Sequence, residues 1–272
     1  MITFSLSFVA LILGYLFYGR FIAHMFGPDD RVTPAVAKAD GIDFIALPNW
    51  KVFMIQFLNI AGTGPIFGAI MGAKFGPVAY LWIVLGCIFA GATHDYLCGM
   101  LSMRHGGASL PELVGEYLGK TTKAITLVFT VLLLIMVGTV FVYSPAEILH
   151  TLGGETLMWV GIIFVYYVIA TMLPIDKIIG KIYPLFAFSL LFMATALMVV
   201  LFIKMPHLPE LWTNFYNMGK EAQPEKWTDA IFPALFITIA CGAISGFHAT
   251  QSPLMARCVK DEKMGRPISM VP

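Results

Sequence analysis

"AIFPALFITIACGAISGFHATQSP", residues 230–253, opens as a run apolar enough to sit in lipid and then changes character. Well short of a bilayer's thickness come Ser245, His248, Thr250, Gln251, Ser252 and Pro253, with glycines at 242 and 246. A hydrocarbon core takes roughly 20 apolar residues of helix to cross. A segment that turns polar halfway is either no span at all, or a span whose helix stops to serve a cavity.

Composition decides for the membrane. Of 272 residues, 58% are hydrophobic and 12% charged, with a mean hydropathy of +0.82. Soluble domains carry about 25% charged residues. A net charge of +1 without a basic run or an acidic tail argues against nucleic acid as a partner. Cys87, Cys98, Cys241 and Cys258 lack paired spacing and read as small buried residues, neither disulfides nor zinc ligands. His248 forms no metal motif with His94 or Cys241, and nothing in the chain asks for a cofactor. The first apolar run has no basic leader and no evident cleavage site.

Seven candidate spans lie near 3–25, 52–73, 77–101, 124–147, 156–174, 182–204 and 230–255. The expected fold is therefore all-α and polytopic, one membrane domain over 1–272. Counting Lys and Arg in the alternate connectors places thirteen on one side and four on the other. The positive-inside rule then puts the N-terminus outside and the segment beyond residue 256 in the cytoplasm. Ser109-Leu-Pro-Glu112 reads as a capping box and Gly119 as a stop, which predicts a short connector helix over 110–118.

The second span, "KVFMIQFLNIAGTGPIFGAIMGA" (51–73), has the same defect as the seventh. Gly62, Thr63, Gly64 and Pro65 interrupt it; proline removes an amide donor and glycine lowers helix propensity. Gly246, Phe247, His248, Thr250, Gln251 and Ser252 interrupt the other. Backbone freed at membrane depth is tolerated only in packed protein or beside a polar cavity. With 3–25 set aside as an extra leading helix, the broken spans are the first and sixth of the remainder. Five-plus-five inverted-repeat transporters have that order, with the solute held at the two breaks. On this reading 52–204 is a first five-helix repeat and 230–255 the first helix of an incomplete second one. A Gly-Pro kink that merely lets helices pack is the plainer alternative, and two matched kinks weigh against it.

Asp95, in "GCIFAGATHDYLCGML" (86–101), stands apart from the other acids, which fall in connectors or at span ends. It lies nine residues before Arg104, roughly 13 Å inside the span. An intramembrane carboxylate is by default a functional candidate, as proton relay or cation ligand. Internal pairing is the structural alternative. His94 points about 100° away on the helix, so the sequence does not require the two to touch. No nucleophile and base cluster as an enzyme requires, and a channel's charged rings are missing. A sensor or receptor subunit that binds a metabolite without moving it remains the second functional class.

Several stretches together resemble the carbon starvation protein A (CstA) family: "AGTGPIFGAIMGAKFGPVAYLWIVLG", "AGATHDYLCGMLSMRHGGASLPELVGEYLG", "AISGFHATQSPLMARC" and the connector "DDRVTPAVAKADGIDFIAL". The likeness runs from about residue 14 to 267. It implies a multi-pass inner-membrane symporter taking up peptides or pyruvate during carbon starvation, with proton or cation coupling. Its partners would be that small solute, the coupling ion and the bilayer. The resemblance implies a substrate region at Gly62–Pro65 and Gly246–Ser252. Asp95 then takes the place of the family's acid, with His94 standing where Gln is found. Family members continue past "GRP" with further spans, which makes an incomplete chain the expectation here. A valine also separates Arg31 from Thr33 in the connector.

Overall fold

Lipid reverses the usual sorting of side chains, and this chain follows the reversal. Phe129 and Met136 are 64% and 71% exposed, while Gln56, Asp95, His248, Ser252 and Glu262 are buried. A computed structural model describes residues 1–172, 175–206, 208–212, 231–243 and 246–270, without the side chains of residues 63, 175–183 and 231. Apart from single turns at Pro34–Ala37 and Glu262–Met264, the described helices in chain order are α1 (Ile2–Phe26), α2 (Asn49–Ile60), α3 (Thr63–Ala73), α4 (Val78–Arg104), α5 (Leu110–Leu118), α6 (Lys120–His150), α7 (Thr156–Thr171), α8 (Ile175–Lys204), α9 (Ile231–Ala243), α10 (Gly246–Ala256) and α11 (Gly265–Ser269).

The apolar segments fall where the hydropathy predicts, with one shortfall. Among the described residues, five helices are long and apolar enough to cross a membrane, or six if α2 and α3 count as one bent span. The fifth candidate, 156–174, is met by α7, which has 16 residues. At 1.5 Å per residue it is about 24 Å long, less than the ~30 Å core it was expected to cross.

The predicted break in the second span is present. Ala61 (φ −80°, ψ 35°) and Gly62 (φ −74°, ψ −167°) leave the helical region, and α3 departs from α2 by 45°. Pro65 falls in the first turn of α3, where a missing amide costs nothing. The stop predicted over Gly246–Pro253 needs correction: those residues are helical, and Pro253 lies inside α10. One proline removes a single i→i−4 bond, and a helix held on its flanks absorbs that loss. Ser252 and Pro253 are buried, and Ser102 of α4 donates to the Pro253 carbonyl at 3.2 Å. The pieces α9 and α10 join at residues 244–245, which lie outside the described residues.

Glycines bring the inner helices together. Gly64, Gly68 and Gly72 repeat every four residues along α3 and form one stripe, and α9 packs on it. A Cβ at Gly68 would stand 2.5 Å from the Thr238 carbonyl oxygen. Small residues at such spacing let membrane helices approach closely. The helix α4 carries a π-helical turn over Gly86–Gly91, and there it meets the end of α9. A Cβ on Gly91 would lie 1.9 Å from the Ala243 carbonyl oxygen. A second π-turn, Gly14–Tyr18 in α1, faces the first; Gly14 leaves room for the Ile88 side chain.

One end of the bundle gathers the connectors that the basic-residue alternation places on one side. The Ile45 and Leu47 amides donate to the Arg257 and Cys258 carbonyls at 3.3 and 3.2 Å. Thr33 Oγ1 donates to the Val259 carbonyl at 2.7 Å. Lys38 and Arg257 donate to the Gly106 and Gly107 carbonyls. The capping box of α5 forms as expected: Glu112 accepts from the Ser109 amide (2.7 Å) and hydroxyl (2.9 Å), which holds its carboxyl below the usual range.

These contacts separate two kinds of glycine. Gly91→Ala forces α4 from α9 and is expected to cost about 1–3 kcal/mol, the range for overpacking. Gly161 of α7, with nothing within 4 Å of its Cβ position, is expected to accept alanine with no loss or a gain of up to about 1 kcal/mol. Thermal midpoints of the two variants in detergent check the contrast.

Candidate functional site

The bent α2–α3 span, α4 at and beyond its π-turn, and the α9–α10 pair border a partly open cavity of about 220 Å³. Apolar walls come from α2, where Phe53 and Phe57 stand one turn apart with rings stacked at 6.4 Å. Pro65, at the start of α3, borders it beside Gly242 and Ala243 at the end of α9. The polar groups on its wall are Asp95 of α4 and His248 of α10.

These two residues sit opposite one another because their helices pack along their lengths, with Ser102 of α4 also reaching the Pro253 carbonyl of α10. Asp95 is 3% and His248 2% exposed. Asp95 Oδ2 lies 3.4 Å from His248 Nδ1, and Oδ1 lies 3.0 Å from His94 Nδ1. One carboxylate therefore stands between two imidazoles, one inside the cavity and one outside it. The side-chain directions on α4 keep His94 off the cavity wall, and it touches Asp95 from the flank. An anion buried this deeply is stable only with such partners. Among the described residues, no three His, Cys, Asp or Glu converge as a metal-binding group.

The other sequence candidates divide. Gly62 is the extended residue of the break, and a Cβ there would stand 3.5 Å from the Phe141 ring. Gly64 faces the Cys241 carbonyl across α9. The Thr63 side chain lies outside the described residues. Phe247 packs its ring against Phe141 at 5.7 Å. Thr250 turns back on its own helix and donates to the Phe247 carbonyl at 2.8 Å. Ser252, 1% exposed, accepts from Gln56 Nε2 at 3.3 Å, which links α10 to α2 one turn beyond His248. Gln251 is half-buried. The cavity wall thus takes Pro65, Asp95 and His248 from the predicted set and leaves Gly62, Gly64, Phe247, Thr250, Gln251 and Ser252 off it, with His94 behind Asp95.

Sequence reasoning missed Gln56, Phe53, Phe57 and Ile268. Gln56 was legible as an amide midway along the apolar first half of a broken span. Ile268 was not, because it belongs to the segment after α10, which the charge count places in the cytoplasm. That segment turns back: α11 packs on α2 and α4, Ile268 reaches the cavity, and Ile268 and Met270 are 2% and 1% exposed. Glu262 pins the turn. Its carboxylate, 0% exposed, accepts from Arg104 Nε (2.7 Å) and Nη2 (3.1 Å) and from the Asp29 amide (2.8 Å). Arg104 in turn lies over the Phe26 ring at 4.3 Å and donates to the Gly27 carbonyl.

Comparison with known proteins follows the same outline. The carbon starvation protein CstA family matches residues 1–151 and, in a second stretch, 142–270. An "uncharacterized membrane protein" of Haemophilus influenzae is 42% identical over 98% of this chain and 85% of its own length. The peptide transporter CstA of Escherichia coli is 29% identical over 88% of this chain and 42% of its own length. The pyruvate/proton symporter BtsT of Escherichia coli is 28% identical over 88% of this chain and 42% of its own length. The chain thus spans about two-fifths of the length of these two transporters. No solved structure matches.

Removing Glu262 leaves Arg104 with the Gly27 carbonyl and the Phe26 ring and frees the segment that carries Ile268. Glu262→Ala is expected to cost about 1–3 kcal/mol, the range for breaking charge-assisted hydrogen bonds of a buried group. A thermal-shift comparison with Lys263→Ala, whose partner Asp30 is exposed, checks this; equal midpoints would remove Glu262 from the role of pin.

Proposed function

The chain belongs to the carbon starvation protein CstA family, and from that premise we propose that it works in a secondary active transporter. The solute is a short peptide or pyruvate, taken up across the inner membrane with a proton. The observation that carries this reading is the buried Asp95–His248 pair on the wall of a cavity between the bent span and α9–α10. A cavity of about 220 Å³ falls below the roughly 300–1,000 Å³ of drug-sized pockets and suits a metabolite of few heavy atoms.

The proposed chemistry follows from charge. The first turn of α3 borders the cavity through Pro65, so the positive end of its dipole favours a solute carboxylate there. His248 is the second anion partner, but while Asp95 is ionised it competes for the imidazole. A proton on Asp95 ends that competition and releases His248 to the solute. Solute and proton then favour each other's binding, which is what symport needs. Loss of the proton restores the Asp95–His248 pair and expels the anion.

The inverted-repeat architecture and the orientation belong to the same proposal. The count of thirteen basic residues against four supports a cytoplasmic location for the Arg104–Glu262 end and an outside N-terminus. The curated transporters in the family are more than twice as long as the matched portion, so whole-protein transport by this chain is part of what is proposed.

Proteoliposomes holding the full chain, given labelled pyruvate or labelled alanylalanine and an inward proton gradient, test it. One pH unit supplies about 1.4 kcal/mol, enough for roughly tenfold accumulation at one proton per solute. His248→Leu is expected to abolish uptake, and Asp95→Asn to remove its response to the gradient. Normal, gradient-driven uptake by both variants would sink the site; binding without flux would identify a receptor instead.

A further inference from the structure

The proposed cycle leaves one step without a route: a proton on Asp95 must reach the cytoplasm past a cavity filled with solute. His94 stands on the side of Asp95 away from that cavity. Its Nδ1 is 3.0 Å from Asp95 Oδ1, and its Nε2 is 3.5 Å from Cys98 Sγ, one turn nearer the Arg104 end. His94, Cys98, Leu101 and His105 follow one another at four, three and four residues, which draws a single line down α4. All four are half-buried, as are Leu97 and Arg104 beside them, whereas Asp95, Tyr96, Gly99, Met100, Ser102 and Met103 on the opposite side are buried. The line ends at α5: His105 Nε2 lies 3.1 Å from Tyr117 Oη and 3.6 Å from Glu116 Oε1.

Resting on the symport reading, we infer that His94 is the group through which Asp95 gives up its proton, and that Cys98 sets the tautomer that lets it do so. With its Nε2–H donated to the Cys98 sulfur, His94 presents a bare Nδ1 to the Asp95 carboxyl. The proton on Asp95 Oδ1 moves to His94 Nδ1, leaving a carboxylate and an imidazolium. The imidazolium then gives its Nε2 proton to water on the half-buried side. Water carries it about 10 Å, the rise from Cys98 to His105, to the imidazole and carboxylate at α5. One proton leaves Asp95 and one reaches the surface; His94 is left as the Nδ1–H tautomer, and loss of that proton to water with uptake of another at Nε2 restores the Nε2–H···Sγ bond to Cys98 before the next turnover. Neighbouring helices bring few competing charges. His248 of α10 faces Asp95 from the cavity, Glu262 is engaged by Arg104, and Arg266 lies over the Tyr15 ring of α1.

Net uptake needs this release, whereas counterflow, the exchange of labelled for unlabelled solute, returns the carrier with its proton still bound. His94→Gln is therefore expected to cut gradient-driven uptake of labelled pyruvate or alanylalanine at least tenfold and counterflow less than threefold. Cys98→Val is expected to do the same more mildly and to shift the pH profile of uptake. Cys98→Ser, which keeps an acceptor for Nε2–H, is expected to restore both. Equal loss of uptake and counterflow in His94→Gln, or full net uptake by it, would overturn the relay. If Asp95→Asn loses coupling while His94→Gln keeps it, the symport reading stands and the relay falls. If Asp95→Asn also keeps coupling, or the unmodified chain accumulates neither probe, the underlying reading falls.

Discussion

A carboxylate placed two-thirds of the way along a membrane helix has no water to ionise against, so its charge must be answered from within the protein. Asp95 sets that requirement, and the surrounding architecture meets it. His248 reaches it from α10 because α10 lies along α4. The pair is buried because α2, α3 and α9 pack around it, and they do so at glycines that let backbone meet backbone. Gly91 sits at the tightest of these approaches, one turn from Asp95, in a π-helical turn that widens the helix beside the cavity. Packing and chemistry are therefore not separable here: the contact that permits the close approach also sets the carboxylate against its partner.

The same requirement explains how much of the protein could be read in its residues. Apolar run length set the spans to within a few residues, since a bilayer's thickness is a fixed ruler. It overreached at α7, where sixteen apolar residues were extended toward a proline that hydropathy does not penalise. Gly62 and Pro65 announced a real bend because glycine and proline fall together in one turn there. Around Pro253 the same logic failed. A lone proline with polar neighbours looks like a stop in one dimension, yet α10 stays helical while Ser252 is held by Gln56 and the Pro253 carbonyl takes a bond from Ser102. Those holds come from α2 and α4, far away in sequence.

Site residues show a parallel division. Asp95 was legible by its isolation and His248 by its company, but their meeting was not, since it depends on the register of two helices about 150 positions apart. His94 looked remote from Asp95 by helical angle, yet adjacent side chains can meet when both rotamers turn toward a shared position. Ile268 had no signal at all. A short segment beyond the last apolar run reads as tail unless something such as Glu262 is known to fold it back.

Glu262 also gives a mechanical meaning to the first helix. By holding the Asp29 amide and the Arg104 guanidinium at once, it clamps the end of α1 to the end of α4, and the facing π-turns lock the same two helices further along. The leading helix then behaves as an outrigger on the frame that bears Asp95. Any shift of that frame would carry α1 through the surrounding lipid with it.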